Sequence, residues 1–544
     1  MGKTIYSIVI IVAFSIISGF PLLQKGLHPT HDGEYHVVRF YEFDKVLRND
    51  SLYPRWAPDL NNGYGVPLFN YVYPLPNYIA SIFHFFGISF IDAFKLQMFF
   101  ATIIGGIFFY LWAKHFWGEM GGVVSAIFYI FSPYRFVDIY IRGSIGEVWA
   151  LALFPALLWS LTELIYKNKK GFTILSGVFL ALIIFSHNIL ALMFSAFAFS
   201  YAMLLIYRQK EKKRAITVSV NVLFTGLSLS SIFWLPALLE KKYVVGLEIY
   251  SIANRFPELY QLLIPSWGSG FLPEDLQNQM SYQIGLGNLI AVLVSIFILI
   301  VFIKNKKNIK DIYIFFMFWF FLVFFLMLSI SLPIWKIVPL MNYFQFPWRL
   351  LSLELIIASF LAGSLVSVWK SRILTIFMII MAFSLGIGYT KPAYYHLRDD
   401  NYYITRGNFI DGTNSPGNAF NTIWFNRNLI KQNNKITFKN GSAEIRKQSL
   451  TTTNYVFDVS AKEATEATIN TAYFPGWTVL IDKRKTDIKV SSDGLMSFPL
   501  TKGRHTIGIE FSDTLIRKIS FFYSFLSLPM LFVANLIIFK ILRK

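Results

Sequence analysis

Apolar runs of about the length a bilayer demands recur along almost the whole chain, and they constrain the fold more than any other feature. Crossing the ~30 Å hydrocarbon core in helical form takes about 20 mostly apolar residues. Runs of that kind lie near 5–23, 92–113, 119–133, 147–166, 172–187, 189–207, 215–238, 287–303, 312–331, 350–369, 373–390 and 519–540. In lipid the backbone must satisfy its own polar groups, so such runs are expected to be helices. Residues 78–86 are apolar but too short to cross, and are expected to re-enter or to lie at the interface. Only 15% of the residues are charged, against roughly 25% in a soluble domain. The expected fold class is therefore an α-helical polytopic membrane protein with about twelve transmembrane helices.

The formal net charge of +19 would suit a nucleic-acid binder, but its distribution excludes that class. The cations sit in short clusters between apolar runs: Lys167, Lys169 and Lys170; Arg208, Lys210, Lys212, Lys213 and Arg214; Lys304, Lys306, Lys307 and Lys310; Lys370 and Arg372; Lys540, Arg543 and Lys544. All fall on one side if both termini are cytoplasmic, as the positive-inside rule requires for a chain in the cytoplasmic membrane. The run 5–23 after Met1-Gly2-Lys3 looks like a signal peptide, yet no small-x-small cleavage site follows it. It reads as a retained first helix. The chain has no cysteine, which excludes disulfides and thiolate chemistry.

That orientation puts the long polar connections outside: about 24–77, 133–146, 240–285 and 391–513. In the last of these the pattern changes to period two. Ile436/Phe438, Tyr455/Phe457/Val459, Val479/Ile481 and Ile507/Ile509/Phe511 alternate with polar residues, and Asn440-Gly, Ser492-Asp-Gly and Lys502-Gly supply turns. Residues 391–518 are expected to form an external antiparallel β-sandwich. Residues 1–390 form the transmembrane domain, with 24–77 as its first external loop, and 519–544 the last helix with a basic cytoplasmic tail.

The first loop carries the densest chemistry. His31-Asp32-Gly33-Glu34-Tyr35-His36, with Arg39 beyond, follows directly on the first span. A helix beginning near Asp32 would bring His36 and Arg39 onto its face, one and two turns along. Carboxylates and imidazoles so grouped can take a proton from a hydroxyl, and Asp32 with Glu34 can hold a divalent cation such as Mg or Mn. The plain alternative is an Asp N-cap on an amphipathic helix with Val37, Val38, Phe40 and Leu47 toward lipid. Arg55 beside Trp56 can grip a phosphate or sugar, or can snorkel in an aromatic belt. Arg142 and Glu147 flank the second external loop as a site pair or a structural ion pair, and Glu147 also suits a helix N-terminus. Arg349 can bind a lipid phosphate, with Glu354 a buried partner. His187 reads as a solvated turn residue, and Trp477 as packing within its own sandwich.

Several stretches carry a resemblance. "HDGEYHVVRF" and "YPRWAPDLNNGYGVPLFNYVYPLP" lie between His31 and Pro76, "RGSIGEVWALALFP" spans Arg142–Pro155, and "FQFPWRLLSLE" spans Phe344–Glu354. They resemble bacterial membrane proteins labelled as related to pyruvoyl-tetrahydropterin synthase, the YfhO-like proteins, and the wider GT-C superfamily of membrane glycosyltransferases. "YFPGWTVLIDKRK" and "PLTKGRHTIGIEF" are similar to the external domain of YfhO-like proteins. Nothing in the chain resembles a pterin-synthase zinc site.

The resemblance implies a membrane glycosyltransferase that moves a sugar from a polyprenyl-phosphate donor to an extracytoplasmic acceptor: a cell-wall polymer, a glycolipid or a protein. It implies an essential acid in the first external loop, a role that maps onto Asp32, in an inverting transfer; Glu34 and His36 join Asp32 as catalytic candidates from their place beside it. His31, Arg39, Arg55, Arg142, Glu147 and Arg349 are the substrate-binding candidates. The pattern here is D-x-E where the family has D-x-D. A lipid-linked-glycan flippase or a noncatalytic glycan-binding protein are the alternatives from other classes. A transporter would place polar groups at the midplane and break its helices there.

Overall fold

A computed structural model describes residues 2–167, 169, 171–246, 252–270, 278–301, 307–405, 418–430 and 432–541. Of the basic residues that argue for orientation, Lys170, Lys304, Lys306, Arg543 and Lys544 lie outside them. The apolar runs form helices. In order these are α1 (Gly2–Gly19), α2 (Gly33–Asn49), α3 (Leu75–Phe85), α4 (Phe90–Ile130), the single turn α5 (Pro133–Phe136), α6 (Ile145–Leu161), α7 (Phe172–Ser186), α8 (Asn188–Tyr207), α9 (Lys212–Leu229) and α10 (Ser231–Leu239). After α11 (Leu259–Leu263) come α12 (Leu286–Val301), α13 (Lys307–Leu326), α14 (Leu332–Ile337), α15 (Leu351–Trp369), α16 (Arg372–Gly386) and α17 (Asp400–Ile404), and α18 (Leu515–Ile541) follows the strands.

Six helical stretches are long and apolar enough to cross a membrane: Gly2–Leu23, Phe90–Ile130, Ile145–Tyr166, Asn188–Tyr207, Pro347–Trp369 and Arg372–Tyr389. Two bent pairs raise the number to as many as eight among the described residues: Lys212–Leu229 with Ser231–Leu239, bent by 68°, and Lys310–Leu326 with Ser329–Ile337, bent by 89°. Phe172–Ser186 and Leu286–Ile300 are apolar but shorter. Within α4 the backbone leaves helical geometry at Gly118 (φ 72°, ψ −177°). There the chain turns back on itself, because the Phe109 and Tyr129 rings stack at 4.7 Å. Twenty residues of straight helix would hold them about 30 Å apart. The two runs expected at 92–113 and 119–133 are thus two arms of one hairpin.

Burial sorts the helices. The apolar α6 and α15 are buried nearly all round, as expected for helices with no polar face. The peripheral α1, α8 and α16 show Ile5, Tyr6, Phe199 and Ile376 on the surface, the side chains that suit contact with lipid. The short α3 covers one flank with Phe85 and Phe86 exposed near its end.

The strands are β1 (Ile436–Phe438), β2 (Ala443–Leu450), β3 (Asn454–Ala461), β4 (Thr465–Ala472), β5 (Trp477–Ile481), β6 (Arg484–Thr486), β7 (Lys489–Val490), β8 (Leu495–Leu500) and β9 (Gly503–Phe511). They pair antiparallel in two sheets, β1-β4-β8-β7 and β2-β3-β9-β5-β6. Phe457, Val459, Ile507 and Ile509 of one sheet share an apolar cluster with Ile436, Ile469, Met496 and Phe498 of the other. The same cluster takes in Trp56 and Tyr71 from the first loop. Trp477 is buried there, its ring edge-on to Trp56 at 5.4 Å and stacked with Tyr455 at 5.6 Å.

Ionic contacts bolt this region to the helices. Arg517, at the start of α18, pairs with Glu240 at 2.9 Å, and both are buried. Asn70 donates to the same Glu240 oxygen at 2.9 Å, and Thr514 donates to the other at 2.7 Å. Arg55 is buried too, 3.3 Å from Asp513 and donating to Asn70 Oδ1 at 2.9 Å and to the Ile232 carbonyl at 3.2 Å.

Candidate functional site

The second connection folds tightly. After α5 the chain makes a π-helical turn over Val137–Arg142, ended by Gly143 in the left-handed region (φ 64°). A side chain at Gly143 would overlap Thr30 of the first loop, so glycine there lets the two connections touch. Four residues on, Glu147 enters α6 fully buried. Both Arg142 Nη atoms donate to its two oxygens, at 2.6 Å each. This fork-on-fork pairing combines charge assistance with fixed geometry. Arg142 also donates to Asp138 at 2.5 Å and lies over the Trp348 ring at 5.0 Å.

A third segment completes the cluster. Arg349, from the turn Pro347–Leu350, brings its Nε to 2.9 Å from Glu147 Oε1, while its Nη1 donates to the Phe344 carbonyl and the Gln345 side chain. His187 is buried, not solvated. Its Nδ1 accepts from Leu190 N at 3.2 Å, capping α8, and its Nε2 lies 3.9 Å from Glu147. Burial pushes the Asp138 carboxyl up to about 8, and the neighbouring Glu147 carboxylate adds to the rise against the pull of Arg142. Arg142, Arg349 and Glu147 together carry two positive charges against one negative, and the raised Asp138 carboxyl disfavours a second negative charge beside them.

The first loop docks on this turn through its backbone. His31 N donates to the Ile141 carbonyl and Asp32 N to the Arg142 carbonyl, each at 2.9 Å. Asp32 stands at the N-cap of α2, but its side chain makes no capping bond. Thr30 instead accepts from Gly33 N at 2.9 Å. The half-buried Asp32 carboxylate is therefore not committed to holding its helix. Val37, Val38 and Phe40 are fully buried in protein, so α2 is not the lipid-facing helix of the plain alternative.

Along α2 the expected face forms. His36 is buried between the rings of Phe40 and Phe94, each at 5.9 Å. Burial holds its pKa well below the usual histidine value, with Arg39 and His187 lowering it further. Arg39 is lowered by burial, and Tyr73, Asp32 and Tyr35 counter that as its electrostatic neighbours. Tyr73 links the two halves of the site. Burial raises its hydroxyl, which feels Arg39 and Asp32 on one side and Glu147 and Arg142 on the other. Its ring meets His187 at 5.1 Å.

Asp32, His36, Arg39, Arg142, Glu147 and Arg349 thus converge, together with Asp138, Tyr73 and His187. His31 sits at the rim, its Nε2 2.7 Å from the Ser269 carbonyl. Glu34 diverges toward Tyr403 of α17, which it pushes up after burial has done so. Positions two apart on a helix do not share a face. Among the described residues no three His, Asp or Glu side chains group as metal ligands. Arg55 belongs to the Asp513 network instead. Glu354 does not pair with Arg349. It is fully buried, and among the described residues neither carboxyl oxygen has a hydrogen-bond partner. Asp138 and Tyr73 were missed because a lone acid in an aromatic loop and a Tyr between prolines carry no motif.

The fold and this cluster define a multi-pass helical membrane protein with a C-terminal β region, its charged groups gathered where the connections meet. The chain belongs to the family described as 6-pyruvoyl-tetrahydropterin synthase related domain, membrane protein, whose model matches residues 69–393. Residues 418–521 match the model described as bacterial membrane protein YfhO. The first match begins after Asp32 and Arg55. An uncharacterised protein of Lactococcus lactis subsp. cremoris (strain MG1363) is 24% identical over 254 residues, 45% of this chain and 41% of that one. The chain thus spans under half the length of that curated relative.

Three solved structures are similar at low scores. Arabinofuranosyltransferase AftD from Mycobacteria has a TM-score of 0.45 and 15% identity, over 71% of this chain and 27% of that one. The Archaeoglobus fulgidus oligosaccharyltransferase has a TM-score of 0.39 and 14% identity, over 73% and 54%. ArnT from Cupriavidus metallidurans, bound to undecaprenyl phosphate, has a TM-score of 0.33 and 11% identity, over 66% and 77%.

Proposed function

We propose that this protein is an inverting glycosyltransferase of GT-C type, taking a sugar from a polyprenyl-phosphate donor on the external face of the cytoplasmic membrane. The observation that carries the reading is an acid that does not cap its own helix, set beside buried cations. Asp32 does not cap its helix, and its backbone is tied to the turn that holds Arg142, Glu147 and Asp138. In the reaction Asp32 takes the proton of the acceptor hydroxyl. The oxygen attacks the anomeric carbon from the side opposite the phosphate, and the bond from that carbon to the phosphate oxygen breaks with its electron pair. Arg39, on the same helix face, offsets the charge that grows on the leaving oxygen, backed by the net positive Arg142–Glu147–Arg349 cluster. His36, held neutral by burial, shapes the wall behind Asp32. The acceptor is a cell-wall polymer, a glycolipid or a protein.

Asp32→Asn tests this. Asn keeps the shape but takes no proton, so transfer from a defined polyprenyl-phosphate sugar should fall roughly a hundredfold or more, with the protein still folded and inserted. Wild-type turnover in Asp32→Asn would remove the base and the mechanism with it.

The two sharply bent helix pairs favour a second reading, a lipid-linked-glycan flippase, since broken helices are what transporters use at their binding sites. In liposomes that reading requires movement of the lipid-linked sugar across the bilayer by wild type and Asp32→Asn alike, with no transfer product.

A further inference from the structure

A cleft of about 430 Å³ opens where α2 and the first loop meet the β region, bounded by Lys45, Asn49 and Asp59 on one wall and Lys435, Thr451 and Tyr455 on the other. Its size falls in the range of small-molecule sites, and a seam between two structural units is a common place for one. Both walls are fixed. Asp50, at the end of α2, accepts from Thr453 N at 2.8 Å and from the Thr452 hydroxyl. Ala472 N donates to the Tyr64 carbonyl at 2.8 Å.

The lining leaves one group short of partners. Lys45 satisfies Asp59 at 2.6 Å, and Asp59 N in turn donates to the buried Glu42 at 3.0 Å. Lys435 gives one hydrogen bond, 2.7 Å to the Gly63 carbonyl, and its ammonium lies over the buried Tyr455 ring at 5.1 Å. An ammonium has three N–H donors. No carboxylate pairs with Lys435 among the described residues, so a half-buried ammonium that lines the cleft keeps donor capacity beyond its one hydrogen bond. Burial lowers that ammonium to about 8, against the raising influence of Asp59. Such a group seeks oxygen, and the Asn49, Thr451 and Asp59 side chains around it offer further donors and acceptors.

We infer that this cleft binds the hydroxyl-rich body of a saccharide. Neutral hydroxyls suit it because each can accept from Lys435 and donate to Asp59 without disturbing the Lys45–Asp59 pair. Lys45 lies thirteen residues along α2 from Asp32, about 20 Å of helix. The cleft would therefore hold a part of the acceptor remote from the reacting hydroxyl. That assignment to the acceptor rests on the glycosyl transfer proposed above, whereas saccharide binding does not.

The test is equilibrium binding of end-labelled neutral oligosaccharides (glucan, galactan and chitin tetramers) to the full chain in nanodiscs. Lys435→Met should weaken binding roughly tenfold or more, as the loss of a charge-assisted bond does. Asn49→Trp, which fills the mouth from an exposed position, should do the same at an unchanged melting temperature. Asp32→Asn should bind like wild type even where transfer is lost, which separates failure of the site from failure of the chemistry. Equal affinity in both cleft variants would overturn the inference, as would the absence of neutral-sugar binding by wild type or selective binding of inorganic phosphate in its place.

Discussion

Replacing Glu147 by Gln should destabilise the protein, and a second replacement should give part of that stability back. Glu147 is fully buried and accepts from both Arg142 Nη atoms at 2.6 Å, with Arg349 Nε at 2.9 Å. Removing one partner of a buried ion pair costs about 3–5 kcal/mol, because the other charge stays behind without water or counter-ion. Here two guanidiniums would be stranded. Asp138 limits the damage, since it touches Arg142 at 2.5 Å and would ionise once the Glu147 charge beside it is gone. The lower end, about 3 kcal/mol, is therefore expected for Glu147→Gln. Arg349→Met alone leaves the Arg142–Glu147 fork intact and should cost less. The double variant Glu147→Gln/Arg349→Met leaves Arg142 opposite an ionised Asp138, so it should be more stable than Glu147→Gln. The assay is tryptophan fluorescence against denaturant in a mild detergent, comparing midpoints among the four proteins, since a membrane protein of this size need not unfold in two states. A Glu147→Gln midpoint equal to wild type would refute the ion-pair reasoning, and so would strict additivity in the double variant.

Acid should weaken the fold through buried histidines. His28 is fully buried and lowered to about 4, so below its unfolded value near 6.5 only the unfolded chain takes up the proton. Stability present at pH 7 is lost as pH falls, by about 2 kcal/mol at pH 5 for this residue, and His31 and His36 act in the same direction. A melting temperature unchanged between pH 7 and 5, or a His28→Gln variant with the wild-type slope, would contradict it. Orientation has its own test in a chain without cysteine: a cysteine at the exposed Ser492 should react with an impermeant maleimide added outside intact cells. Labelling only after the membrane is opened would reverse the topology that the charge clusters imply.

What the sequence revealed, and what it hid, follows from the range of the interactions. Apolar runs are local, so most helices fell near their expected bounds. Even the turn at Gly118 fell in the gap between two expected runs. The bends between α9 and α10 and between α13 and α14 did not, because a run such as 215–238 stays apolar through its break at Ser230. Strands with one large apolar face, β3 and β9, were legible through alternation. By contrast β4, Thr465–Ala472, buries Ala467, Ile469 and Thr471, and its period is carried by residues too small or polar to signal it.

The same distinction runs through the charged residues. Asp32, His36 and Arg39 lie within eight positions, and helical spacing alone aligned them. Arg142, Glu147, Arg349 and His187 come from three distant segments, and nothing local says that Glu147 binds two arginines. Arg55 is the instructive failure. An arginine next to tryptophan in a Pro- and Gly-rich loop fits a phosphate, but a buried Arg needs an oxygen whichever molecule supplies it. Here Asp513 and Asn70 do. Chemistry written in a loop therefore identifies which groups need partners and not whose atoms meet the need. That question is answered by burial, and it separates Arg55, satisfied by its own chain, from Asp32, whose carboxylate is not spent on its own helix cap.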